Sequence, residues 1–77
     1  MLRFNLKQAL LDYQAKTGLK LSYEELSKDT DISVETLKSI ATREEYNATF
    51  RVISLISISL GINPIDYFEW KTNDRNR

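Results

Sequence analysis

Residues that start helices recur along this chain at intervals that leave room only for short ones. Asn5, Ser22, Ser33, Thr49 and Asn63 each head an apolar-patterned segment. Their side-chain oxygens can accept from amides that the first helical turn leaves unpaired. The two glycines, Gly18 and Gly61, fall where the first and fourth segments must stop, because glycine enters the left-handed backbone that closes a helix at no steric cost. The spacing predicts one all-α domain of five helices over residues 1–70, followed by a polar tail over 71–77 with no apolar residue.

The first helix begins after Asn5, with Gln8 three residues on and Phe4 set to pack back onto Ala9, the arrangement of a capping box with a hydrophobic staple. Leu6, Ala9, Leu10 and Tyr13 share its apolar face. Ser22 and Glu25 form a capping box for a second helix, from Tyr23 to about Thr30, that buries Leu26. Ser33 caps a third, from Val34 to about Ala41, with an apolar stripe of Val34, Leu37, Ile40 and Ala41. Thr49 opens a fourth that runs to Leu60. Its β-branched residues and the alternation from Ile56 to Leu60 would also suit a strand. No other segment offers a strand to pair with it, and an unpaired strand leaves its backbone unsatisfied. Asn63, with Pro64 at the first helical position, starts a fifth helix that ends at about Trp70, where proline's fixed φ suits the first turn.

Composition narrows the chemistry. The 77 residues include no cysteine and no histidine, which removes thiol nucleophiles, thiolate metal sites and the commonest acid–base group and metal ligand. No phosphate loop is present, so catalysis would rest on carboxylates or lysines that nothing assembles. The expectation is a protein that is not an enzyme and holds no cofactor or metal. Glu24 and Glu25 are adjacent, and adjacent helical residues point about 100° apart; they suit a helix start, not a shared proton. The most apolar stretch, Phe50 to Ile62, is broken by Arg51, Ser54, Ser57 and Ser59 and falls short of the about 20 residues that a bilayer span needs. The N-terminus lacks the long apolar block of a secretory signal. The expected location is cytoplasmic, with no membrane partner.

Between the second and third helices stand only Asp31 and Ile32, with Ser33 as the next cap. Two short helices joined this tightly form a helix-turn-helix. Asp31 tolerates a left-handed backbone better than most residues, and Ile32 would plug the angle between the helices. The polar N-terminal face of the third helix is then free to enter a DNA major groove.

The stretches Leu21-Ser22-Tyr23-Glu24-Glu25-Leu26-Ser27, Thr30-Asp31-Ile32-Ser33-Val34-Glu35-Thr36-Leu37 with Ile40, and Leu60-Gly61-Ile62-Asn63-Pro64 with Tyr67-Phe68 resemble the phage-repressor-like helix-turn-helix family (Xre-type, Cro-like). The resemblance covers about residues 5 to 70. It implies a compact five-helix, lambda-repressor-like domain that binds specific duplex DNA, as a twofold dimer, to regulate transcription. By position, Ser33, Glu35, Thr36 and Lys38 would face base edges, with Ser39 nearby. Arg43 and the loop through Asn47 would lie near the DNA backbone, and Ser22 and Tyr23 would touch a phosphate. Many members pair a first-helix arginine with a glutamate at the end of the third helix. Here that position holds Ala41, and no arginine occurs from Phe4 to Thr17.

Charge runs against this expectation. Eleven basic and eleven acidic residues give a formal charge of zero. From Ser22 to Arg43 the cations are Lys28, Lys38 and Arg43, against Glu24, Glu25, Asp29, Asp31 and Glu35. Arg3, Lys7, Lys16 and Lys20 make the first helix and its exit more basic. The balance keeps a rival open: a protein-interaction module with weak or no DNA affinity. The fourth helix also carries more apolar residues than one core face needs. Either the monomer buries them all, or a homodimer forms through a surface of the fourth and fifth helices, with Val52, Leu55, Tyr67 and Trp70 as its candidates.

Overall fold

The computed structural model describes residues 1–43 and 45–71. Its elements in chain order are strand β1 (Leu2–Phe4), helices α1 (Leu6–Thr17), α2 (Tyr23–Thr30), α3 (Val34–Thr42) and α4 (Phe50–Leu60), a single 3-10 turn (Pro64–Tyr67) and strand β2 (Phe68–Trp70). Every α-helix opens at the cap its sequence advertises. Asn5, Ser22, Ser33 and Thr49 accept from the amides of Gln8, Glu25, Thr36 and Val52. The box at α2 is complete, since the Glu25 carboxylate accepts the Ser22 amide at 2.9 Å. At α1 only half of it forms: Gln8 donates its side-chain amide to Asp12, and the Asn5 amide goes to the Tyr67 carbonyl. Gly18 and Gly61 close α1 and α4 in the left-handed region.

The five-helix, all-α expectation is overturned at both ends of the chain. After Pro64 the backbone makes one 3-10 turn, with the Asn63 side chain accepting from the Ile65 amide, and then extends. Phe68–Trp70 pairs antiparallel with Leu2–Phe4, in the register Leu2 to Trp70, Arg3 to Glu69 and Phe4 to Phe68. The physical reason is backbone satisfaction. A helix from Pro64 to Trp70 would leave most of its amides and carbonyls without an internal partner, whereas the N-terminal segment offers an edge that satisfies both strands at once. Aromatic residues at Phe68 and Trp70 favour the extended form. Edge-to-face contacts of Phe4 with Tyr67 (6.4 Å) and Phe68 (5.8 Å) seat the ribbon on the core. Met1 and Lys71 continue the pairing through the Lys71 amide and the Met1 carbonyl; the rest of the expected tail, 72–77, lies outside the described residues.

Each α-helix contributes one large, fully buried side chain to the core: Leu6, Leu26, Leu37 and Ile56. The α2–α3 turn is built as its residues require. Asp31 takes φ 62° and ψ 25° and donates its amide to the Ser27 carbonyl, and Ile32 is buried behind it. The buried Thr30 hydroxyl donates to the Leu26 carbonyl and accepts from the Ile32 amide, so the turn closes with its polar groups paired.

Candidate nucleic-acid interface

The two sides of α3 do different things. Leu37, Ile40 and Ala41 face inward and are buried, while Val34 is half-buried. Glu35 and Lys38 are exposed on the opposite side, Ser33 is exposed at the cap, and Thr36 and Ser39 are half-buried between the two. The helix therefore presents a short polar row at its N-terminal half. Arg43 and Asn47 are also exposed, but they stand beyond the other end of α3, about 13 Å away by the rise of nine helical residues. Arg43 is the C-cap residue, with its amide on the Ser39 carbonyl. Asn47 borders a recess of about 190 Å³ beside the ribbon, with Leu2, Phe4, Phe50 and Phe68. The expected DNA-contacting residues thus fall into separate groups.

The third group is at the start of α2. Ser22 is exposed and Tyr23 half-buried, with its ring packed against the core. The completed capping box changes what this end can offer an anion. The Ser22 amide belongs to Glu25, and the Glu25 amide to Ser22 Oγ. The amides of Tyr23 and Glu24, the hydroxyl hydrogen of Ser22 and the Tyr23 hydroxyl are what the box does not use. Those bonds from Ser22 hold the Glu25 carboxyl below its ordinary value, so it stays ionised where a phosphate would approach.

Two cations that the residue-by-residue expectation left out offset that charge. Lys7 and Lys20 line a groove of about 410 Å³ with Ser22, Tyr23 and Glu24, over an apolar floor of Leu10, Leu11 and Leu21. The basic bias of the first helix was the signal for them; their position beside the start of α2 needed the fold. Arg3 leaves the exposed cations instead. Its side chain is 14% exposed, 4.0 Å from the Glu69 carboxylate, and donates to the Ala41 carbonyl at 2.9 Å. No basic residue stands in the last turn of α3; a strand arginine supplies the cation that a helix C-terminus favours.

The fifth helix expected to form part of a dimer surface is replaced by a 3-10 turn and strand β2. Val52, Leu55 and Tyr67 are half-buried and pack against the monomer's own core. Trp70 is exposed, as are Phe50, Ile58 and Ile65. Among the described residues, no helix is long and apolar enough to cross a membrane, and no three His, Cys, Asp or Glu side chains cluster to hold a metal. Comparison with family models, curated proteins and solved structures finds no match to this chain.

Proposed function

We propose that this chain is a sequence-specific DNA-binding regulator of transcription, of the phage-repressor-like helix-turn-helix kind, acting in the cytoplasm as a homodimer. The observation that carries the proposal is the α2–α3 junction. A left-handed Asp31 and a buried Ile32 set two short capped helices at a tight turn and leave the polar row of α3 outward. A helix held this way is the part that enters a major groove in such proteins. Lys7 and Lys20 beside the start of α2 supply positive charge for the phosphate backbone, while Glu35, Thr36 and Lys38 carry the groups that read base edges.

The charge balance fixes the form that binding takes. If Lys7, Lys20 and Arg43 each neutralise one phosphate, log K falls with log salt at a slope of about −2.7 per subunit. That is shallow, so discrimination rests on base contacts and on two subunits acting together. The test is selection from random duplexes across a salt series. Enrichment of a two-part site is expected; no enriched sequence even near 50 mM salt would sink the proposal. A protein-interaction module is the second reading, favoured by the large apolar side chains of Phe50, Ile58 and Trp70 on the surface. It predicts a specific protein complex together with that negative selection.

A further inference from the structure

We propose that the groove between α1 and the start of α2 docks an acidic amphipathic helix of a partner protein, which displaces DNA by taking the same lysines. The docking stands apart from the DNA reading; the displacement rests on it. Lys7, Leu10, Leu11 and Gln14 fall at i, i+3, i+4 and i+7 of α1, so they share one helix face. Lys20, Leu21 and Tyr23 form the facing wall of the groove, which encloses about 410 Å³ and stays open to solvent. Leu11 is 59% exposed there, apolar surface that the monomer leaves wet.

Charge selects the occupant. Lys7 stands in the first turn of α1, and Lys20 lies two residues past Gly18, which closes that helix. The two cations therefore approach the apolar floor from opposite ends. Among the described residues, Glu24 alone brings an acid to the lining. Asp12, the acid of α1, is turned away to Tyr67. A small amphiphile has one charged head and would leave a lysine unpaired. An amphipathic helix lays apolar side chains at i, i+3, i+4 and i+7 into such a groove. The seven-residue step from Lys7 to Gln14 rises about 10 Å, two turns of a helix, which matches that stripe. A carboxylate beyond each end of the stripe then meets Lys7 or Lys20. These lysines are also the cations assigned above to the phosphate backbone, so a helix held by them excludes a duplex from them.

The probe is a fluorescein-labelled helical peptide with leucines at i, i+3, i+4 and i+7 and glutamates beyond both ends of that stripe. Control peptides carry lysines for the glutamates or serines for the leucines. Fluorescence anisotropy is read with the wild type, Leu11→Ser and the double variant Lys7→Glu with Lys20→Glu, with folding confirmed by circular dichroism. The wild type is expected to bind the glutamate peptide and to bind either control at least about tenfold more weakly. Leu11→Ser is expected to lose about tenfold, as for a leucine that docking buries, and the double variant to prefer the lysine peptide. A duplex selected by the wild type is expected to be released by the glutamate peptide and not by the serine one. Leu11→Ser should hold that duplex as the wild type does and resist release. Equal affinity for all three peptides, or an unchanged affinity in Leu11→Ser, overturns the docking. Leu11-dependent binding of decanoate or of anionic vesicles without peptide binding overturns it in favour of a small amphiphile or a membrane. Self-association that Leu11→Ser abolishes overturns it in favour of a second copy. Peptide binding that leaves the duplex in place overturns the displacement alone. No selected duplex sinks the DNA reading and the displacement together, and the peptide affinities still decide the docking.

Discussion

Arg3 joins the ribbon to α3 through its side chain. Its guanidinium reaches the Ala41 carbonyl, while Nε is buried with no partner among the described residues. A bond to a charged donor is worth about 1.5–3 kcal/mol, but the unpaired Nε offsets part of that gain. The aliphatic stem also covers apolar surface. Arg3→Met keeps the stem, removes the orphaned nitrogen and forfeits the bond; Arg3→Ala loses stem and bond together. The expected order of stability is wild type, Arg3→Met, Arg3→Ala, with the alanine variant lower by about 2 kcal/mol. Urea denaturation checks the order, and equal midpoints for the two variants would show that the stem contributes nothing. Nothing in the sequence around Arg3 points to Ala41, because the contact joins residues 38 positions apart. The caps are the opposite case. Ser22, Ser33 and Thr49 each bond an amide three residues ahead, so a local pattern carries the whole interaction.

At the scale of elements, that difference in range explains what was legible. The limits of α2 and α4 follow from their caps and stops. The ribbon does not, because β1 and β2 are each only three residues long and a strand has no meaning without its partner. Pro64 after Asn63 is a true start signal; the turn it starts simply does not propagate. Within the helix-turn-helix, Asp31 at φ 62° carries a strain that glycine lacks. Asp31→Gly is expected to raise stability by about 1 kcal/mol and to remove one negative charge beside α3. A fall in melting temperature would refute this account of the turn. The contact between the 3-10 turn and α1 is electrostatic. Tyr67 donates to the Asp12 carboxylate at 2.6 Å, which lowers the Asp12 carboxyl below 3.8 and raises the Tyr67 hydroxyl above 10.0. A depressed acid stabilises the fold above its unfolded value and loses that contribution as pH falls through the folded one; a raised tyrosine stabilises below its unfolded value and loses it as pH rises. The stability difference between wild type and Tyr67→Phe should be largest between these limits and shrink below pH 3.8 and above pH 10.0. A difference independent of pH would mean that the ring, not the hydroxyl, accounts for it.

For the whole molecule, the question is where a second copy would sit. The exposed apolar side chains are not spread evenly around α4, as the sequence pattern alone would allow. Met1 and Lys71 exchange both backbone bonds, so the next pair, Leu2 and Trp70, is a non-hydrogen-bonded pair whose side chains lie close together. Leu2 also shares the ribbon recess with Phe50. Leu2, Trp70 and Phe50 are 54%, 69% and 84% exposed. They adjoin one another through Leu2 and form an apolar patch at the ribbon end of the molecule. Large aromatic side chains at the centre of such a contact carry most of its energy. In sedimentation at micromolar concentration, wild type is expected as a dimer, and Trp70→Ser and Phe50→Ser as folded monomers. Each variant should still recognise a half-site, with the preference for a two-part site lost. Dimeric variants would place the partner elsewhere, and a wild type that binds its full site as a monomer would overturn the dimer itself.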